Sequence, residues 1–205
     1  MNISAVLFLA TLVAVISSSA GGAKADAPSS AGFLGTCDIA FLVASTLHDV
    51  SGSARCQPFT VRRTRDATGK EVIPVVEVEV PVAAMDTRNR SRDGQMREMF
   101  RSDRFPLIRG VARDVDVDRL RGEIGKGRGG KASIGLLLRI RDVERKVLST
   151  ASNLRESGER VTFDLEFPVS LREFDLKAPS VLGILRVGDK VTVKATLTLT
   201  VSRSP

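Results

Sequence analysis

Apolar and polar residues alternate along much of the chain, and this period of two restricts the possible folds more than any other feature. The segments 76–82, 134–140, 161–171 and 191–201 each place apolar residues on one face and polar residues on the other. Such alternation predicts half-buried strands. Several of them in one domain predict an all-β fold, either a sandwich or a closed barrel. A barrel of about eight strands has no exposed edges and holds a single small ligand.

Length and charge favour one compact domain without a nucleic-acid partner. The chain has 205 residues, and 42% of them are hydrophobic, which is enough for a sizeable core. Tyr and Trp are absent, so the surface lacks the aromatics that stack on bases. The net charge is +7, but the basic residues fall in separate polar stretches, at 62–65, 88–92 and 126–131. This distribution indicates a solvated basic surface, not a nucleic-acid arm.

The N-terminus has the pattern of a secretory signal peptide. An apolar run at 6–16 is too short to span a bilayer, and Ala23 and Ala25 form an A-x-A cleavage site. Residues 1–25 are therefore predicted to be removed, although the first four lack a Lys or Arg and cleavage after Ala20 is an alternative. A lipoprotein site at 34–37 is less favoured, because Thr36 suits the cut poorly. We expect a periplasmic or secreted protein.

We predict that the mature chain consists of a flexible linker, 26–36, and a barrel domain, 37–205. Its only cysteines are Cys37 and Cys56. If the segments 41–45 and 51–59 form a hairpin that turns near Thr46 and Leu47, these cysteines lie opposite each other, within disulfide reach. An exported protein meets an oxidising compartment, so we predict a structural disulfide between them.

The stretch GKGRGGKA, residues 125–132, matches the G-x-x-x-x-G-K pattern of a phosphate-binding loop. However, Ala132 stands where a Ser or Thr hydroxyl would reach the metal, and an alternating strand follows instead of a helix. The preceding residues, 114–124, are too charged for a buried parallel strand. We therefore predict a mobile hairpin loop that binds no nucleotide. Contact of its charges with anionic lipid headgroups is an alternative to plain solvent exposure.

Polar stretches at 65–70, 122–131 and 153–160 are predicted to be hairpin turns. The polar segment 86–106 departs from the strand pattern. Ser91 is a candidate N-cap for a short helix that starts near Arg92. Met96, Met99 and Phe100 fall at helical spacing and form an apolar stripe. Packing is the simpler role for this stripe, but beside a barrel it also lies where it can contact a ligand.

The sequence offers no convincing catalytic or metal site. His48 is the only histidine, and a triad with Ser45 and Asp49 would be unusually local, so a structural turn histidine is favoured. One His and two distant Cys are too few for zinc. The acidic residues at 114, 116 and 118 alternate like exposed strand charges and lack the features of a calcium loop. We predict no enzyme activity, no cofactor and no metal.

Three stretches together resemble the YceI-like family. The first, 41–59, is similar to the opening hairpin of the family and includes His48 and Gly52. The second, 78–110, carries the most matches, which are Thr87, Asn89, Arg92, Asp93, Met96, Pro106 and Ile108. The third, 167–193, resembles the family's terminal motif.

This resemblance implies a lipocalin-like antiparallel β-barrel with a short helix near its mouth. It also implies an exported protein that binds long apolar molecules, above all polyisoprenoid-type lipids, with no shared catalytic residues. The identity of the ligand does not carry over, because the family is tolerant in its pocket. The loop 125–131 has no counterpart in the family pattern.

The chain is therefore interpreted as an exported binding or carrier protein that holds an isoprenoid or fatty-acyl chain inside a β-barrel. The alternative is a structural or interaction protein, whose barrel is filled by side chains and whose basic surface contacts an anionic membrane or an acidic partner. The oligomeric state is left open. Twelve residues are predicted to contact the ligand, although some belong simply to the core: Val78, Val80, Met96, Phe100, Leu136, Leu138, Ile140, Phe163, Leu165, Phe167, Val193 and Leu197.

Overall fold

The structure is a computed structural model that describes residues 32–45, 49–126, 129–177 and 187–202. Within these residues the chain forms one antiparallel sheet of ten strands. The strands are β1 (Gly32–Ser45), β2 (Val50–Arg55), β3 (Phe59–Arg62), β4 (Thr64–Arg65), β5 (Glu71–Pro81), β6 (Leu107–Asp116), β7 (Lys131–Ile140), β8 (Val143–Ser157), β9 (Arg160–Ser170) and β10 (Val187–Ser202). The helices are α1 (Arg90–Phe100), α2 (Val117–Ile124) and two short 3-10 helices, Val82–Ala84 and Arg172–Phe174.

The sheet closes into a barrel through one interrupted strand. The order is β2-β1-β10-β9-β8-β7-β6-β5-β4, and β3 also pairs with β1. Only Arg63 separates β3, which pairs with β1, from β4, which pairs with β5. Backbone bonds from Gln57 N to Glu79 O (2.8 Å) and from Ser53 N to Asp86 O (2.8 Å) join the same edges. Because β2, β3 and β4 together occupy one strand position, the barrel has eight strand positions. The predicted all-β antiparallel fold is confirmed.

The alternating segments place their apolar residues inside the barrel, as predicted. In β9, Leu165 and Val169 are buried, whereas Glu166 and Pro168, which alternate with the inward residues, are exposed. Neighbouring strands are in register, so Leu165 faces Ala195 of β10 and Ala151 of β8. The buried faces of all the strands therefore meet in one interior.

Helix α1 covers one end of the barrel, and its start differs from the prediction. The helix begins at Arg90, and its N-cap is Asn89, whose Oδ1 accepts a hydrogen bond from Arg92 N (3.1 Å). The predicted cap at Ser91 and start near Arg92 are therefore wrong. Asn89 has an extended backbone and Ser91 is already helical, so only Asn89 can turn its side chain back to the free N–H groups.

Helix α2 covers the opposite end and was missed. Residues 122–131 were predicted to be a hairpin turn, but α2 extends to Ile124 before the chain turns towards β7. Asp116 ends β6 and caps α2, because its Oδ1 accepts from Arg119 N (2.8 Å). Asp118 lies in the helix and accepts from Glu71 N (3.0 Å). The three acidic residues at 114, 116 and 118 are therefore not on one strand face.

Two further boundaries differ from the prediction. Strand β1 starts at Gly32, so residues 32–36 belong to the barrel and not to a linker, since Phe33 continues its inward face and is buried. The turn predicted at 153–160 is much shorter, because β8 extends to Ser157 and β9 starts at Arg160. The turn between β4 and β5 is confirmed. The predicted signal peptide, residues 26–31 and His48 lie outside the described residues.

Candidate functional site

The barrel encloses an apolar cavity of about 460 Å³ that extends from α1 to α2. Pockets for small molecules usually measure about 300–1,000 Å³. All twelve residues that the sequence predicts as ligand contacts line this cavity: Val78, Val80, Met96, Phe100, Leu136, Leu138, Ile140, Phe163, Leu165, Phe167, Val193 and Leu197. Ten of them come from the alternating strands and two from α1, so the period of two brings them together.

Three phenylalanines that were not predicted as contacts also line the cavity: Phe33 and Phe41 of β1, and Phe59 of β3. Two of them pack across a glycine on the neighbouring strand. Phe59 faces Gly35, and Phe41 faces Gly52. A Cβ atom at either glycine would overlap the aromatic ring. A glycine paired with an inward Phe is the signal that would have located these contacts.

A disulfide joins Cys37 of β1 to Cys56, with a Cα–Cα distance of 5.4 Å. The pairing follows the register of the first hairpin, in which Asp38 faces Arg55 and Val43 faces Val50. Cys56 N also donates to Cys37 O (3.2 Å). Cys37 is buried and lines the cavity, so the bond fixes the wall next to it.

The α1 end of the cavity is rich in methionine. Met85, Met96 and Met99 line it together with the buried Phe100. Thioether side chains adapt to irregular apolar shapes. This end is therefore suited to contact a flexible apolar chain.

A buried hydrogen-bond network fixes α1 over this end. Thr87 is only 2% exposed. Its backbone N and Oγ1 both donate to Asp93 Oδ1, at 2.9 and 2.6 Å. The Thr87 hydrogen bonds and the nearby Arg97 and Arg92 charges outweigh partial burial, so the pKa of Asp93 is lowered. Arg92 Nε and Nη2 donate to Thr87 (both 2.9 Å), which commits this cavity-lining cation to the network.

A charged cluster lies at the α2 end and consists of Arg63, Glu71, Arg121 and Glu156. Arg63, Arg121 and Glu156 line the cavity, and Glu71 pairs with both arginines. Arg63 Nη1 lies 2.5 Å from Glu71 Oε1. Arg121 contacts both carboxylates, with Nη1 2.9 Å from Glu71 Oε2 and Nε 2.9 Å from Glu156 Oε1. Burial disfavours the charged form of Arg121, but Glu156 and Glu71 outweigh it and raise its pKa above the ordinary value. The cluster was not predicted, because its members are far apart in the chain.

No group of three or more His, Cys, Asp and Glu side chains within the described ranges is arranged to hold a metal ion. Of the helices in the described part of the chain, none is long and apolar enough to cross a membrane.

Comparison with known proteins agrees with this architecture. The model of the YceI-like domain matches residues 26–199. No curated protein sequence matches the chain.

Several solved structures share the fold. A polyisoprenoid binding domain from Saccharophagus degradans, implicated in plant cell wall breakdown, is 14% identical with a TM-score of 0.60, covering 84% of this chain and 99% of that one. BcnA of Burkholderia cenocepacia is 16% identical with a TM-score of 0.57, covering 79% and 95%. The Campylobacter jejuni YceI protein is 14% identical with a TM-score of 0.55, covering 77% and 88%. The family match over most of its length shows that this chain belongs to the YceI-like family.

Proposed function

We propose that this protein is an exported carrier that holds a long apolar chain, isoprenoid or fatty-acyl, inside its barrel. The observation that carries the proposal is the cavity of about 460 Å³, whose walls are almost entirely apolar. Burying a chain there contributes about 0.8 kcal/mol per methylene, so binding needs few polar contacts. The similarity in fold to the polyisoprenoid binding domain of Saccharophagus degradans supports the same ligand class.

A binding role is also favoured over catalysis. The charged groups that line the cavity are engaged with one another or with the backbone, as in the Arg92 network and the charged cluster. The alternative of a barrel filled by side chains is less favoured, because a filled barrel would not leave a cavity of this size. The proposed export is supported by the sequence of residues 1–25.

Native mass spectrometry of the protein purified from the exported fraction tests the carrier role. We expect a bound mass that solvent extraction releases and that belongs to an isoprenoid or fatty-acyl lipid. Protein without a bound mass, and without uptake of either lipid class on incubation, would favour the structural or interaction role instead.

A matched pair of glycine variants makes this test specific to the cavity. Gly110 lines the cavity, and a Cβ atom there would meet no atom within 4 Å. Gly110→Phe should therefore place its ring in the cavity and reduce lipid occupancy. Gly135 lies on the outer face of β7 and has equally free space, so Gly135→Phe is the control. Equal lipid occupancy in both variants would contradict binding inside the barrel.

Peripheral contact with an anionic membrane is proposed as an accompanying role. Five arginines around α1 are exposed and form no ion pair with any other described residue: Arg88, Arg90, Arg97, Arg101 and Arg104. They lie in α1 or next to it in the chain, and α1 is the helix that covers the methionine-lined end of the cavity. Co-sedimentation with phosphatidylglycerol vesicles should fall as salt rises, because screening weakens such contacts. Binding to neutral phosphatidylcholine vesicles of equal strength would contradict this role.

A further inference from the structure

One arginine, Arg63, lies on the inward face of the barrel wall and indicates which kind of ligand the cavity binds. Phe59 and Val61 of β3 are buried in the interior, and Arg63 follows two residues later on the same face and lines the cavity. An arginine in an otherwise apolar cavity is costly unless its five donors are used. The position therefore raises the question of which acceptors it has.

The donors of Arg63 are only partly used. Its Nη1 pairs with Glu71, and its guanidinium stacks on Phe33 with Cζ 4.4 Å from the ring centroid. Its Nε is buried and has no hydrogen-bond partner within the described residues. Its Nη2 also forms no hydrogen bond with a described residue but, unlike Nε, is not sealed off by protein atoms, so Nη2 is the donor for which a molecule in the cavity can supply an acceptor.

The charge of the cluster restricts what that molecule can be. Two arginines, Arg63 and Arg121, are paired with two carboxylates, Glu71 and Glu156, so the positive and negative charges balance. A carboxylate or phosphate entering this end would add an uncompensated negative charge beside the glutamates. An uncharged oxygen accepts a hydrogen bond without disturbing the pairs.

The opposite end of the cavity offers less to a polar group. Two donor nitrogens of Arg92 are occupied by Thr87, the amide of Gln95 is an uncharged and weaker donor, and the other side chains at this end include Met85, Met96 and Met99. From these observations we infer that the α2 end binds the polar end of the ligand, an uncharged alcohol or carbonyl oxygen that accepts a hydrogen bond from the Arg63 guanidinium. The inference rests on the proposed function, since it assumes that an apolar chain occupies the cavity.

Three probes of one isoprenoid skeleton test the inference: farnesol, farnesene and farnesoic acid. Their affinities are measured by displacement of a fluorescent lipid from the full mature protein. We expect farnesol to bind about tenfold more tightly than farnesene, as one hydrogen bond to a charged group provides. Farnesoic acid, which is a carboxylate at neutral pH, should bind more weakly than farnesol.

Arg63→Lys keeps the charge that pairs with Glu71 but removes the planar guanidinium. The substitution should reduce the affinity for farnesol to that for farnesene. The affinity for farnesene should not change, and this unchanged value also verifies that the variant folds. Arg109→Lys is the control, because Arg109 pairs with Glu79 (2.8 Å) on the outside of the wall. It should change neither affinity.

Several outcomes would overturn the inference. Equal affinities of the wild-type protein for farnesol and farnesene would show that no polar end is recognised. Tighter binding of farnesoic acid would show that an anion is preferred. Loss of farnesol affinity in Gln95→Leu, at the α1 end, but not in Arg63→Lys would reverse the orientation. If none of the three probes displaces the fluorescent lipid, the proposed function itself fails.

Discussion

The hydroxyl of Thr87 donates a 2.6 Å hydrogen bond to Asp93 Oδ1, and this bond joins the segment before α1 to the helix itself. The lowered pKa of Asp93 means that its ionised form stabilises the folded state. This stabilisation is present above the ordinary carboxyl pKa of 3.8 and is lost as the pH falls through the lower folded-state value. Asp93→Ala should therefore lower the free energy of unfolding by about 1–3 kcal/mol at neutral pH.

Urea unfolding at neutral pH and in acid measures this difference. The gap between wild type and Asp93→Ala should shrink as the pH falls below the folded-state pKa of Asp93. Glu98→Ala, an exposed change on the same helix, is the control and should have little effect. A gap that is the same at both pH values would contradict a role for the ionised carboxylate.

Gly52 is predicted to tolerate no side chain. A Cβ atom there would overlap the ring of Phe41 and lie 2.9 Å from the carbonyl oxygen of Asp86. Gly52→Ala should therefore destabilise the protein by about 1–3 kcal/mol, because either the ring or the backbone must move. Thermal unfolding measures the loss, and a melting temperature equal to that of the wild type would refute it.

Gly94, in contrast, is predicted to tolerate a side chain. It lies within α1, and a Cβ atom there would meet nothing within 4 Å. Gly94→Ala should stabilise the protein by about 0.5–1 kcal/mol, because alanine loses less backbone entropy in a helix. A decrease in stability in the same unfolding assay would mean that the surroundings of α1 are tighter than described.

The disulfide is expected to contribute to stability. Its cysteines are 19 residues apart in sequence, so it restricts the unfolded chain by about 3 kcal/mol. Unreduced, denatured protein should contain no titratable thiol, and reduction should lower the melting temperature. The double variant Cys37→Ala, Cys56→Ala should be insensitive to reductant. Two free thiols in the unreduced protein would contradict the prediction.

Oxidation of the methionines at the α1 end should weaken ligand binding. Met85, Met96 and Met99 line this end, and a sulfoxide turns each apolar side chain into a polar one. Mild hydrogen peroxide should lower the affinity for a fluorescent lipid several-fold. The triple Leu variant should keep its affinity after the same treatment. Equal losses of affinity in the wild type and in the triple Leu variant would show that the oxidised group is not one of these methionines.

The sequence predicts the barrel and its lining well, because both depend on one simple periodicity. Residues such as Leu165 and Leu197 face inward for no other reason than their place in an alternating strand. The disulfide also follows from counting residues along one hairpin. These features are local, or pair neighbouring strands, so little three-dimensional information is needed to anticipate them.

The missed features depend on contacts between distant parts of the chain or on competing local signals. Asp116 follows an alternating run that resembles a strand, yet its side chain caps α2. Arg121 and Glu156 pair only after both α2 and β8 are in place. Gly32 and Gly35 resemble a linker by composition, although both lie in β1. Composition alone does not distinguish such a strand from a flexible segment.

The closure of the barrel between β1 and β5 has a mechanical consequence. Most neighbouring strands pair over long ladders, but β3 and β4 provide only short ladders on either side of Arg63, and β6 pairs with β7 only along residues 109–111. Local opening of a protein begins where the fewest backbone hydrogen bonds must break. The circumference of the barrel is therefore least rigid at these two joints, and the cavity can widen there while the long strand pairs remain intact.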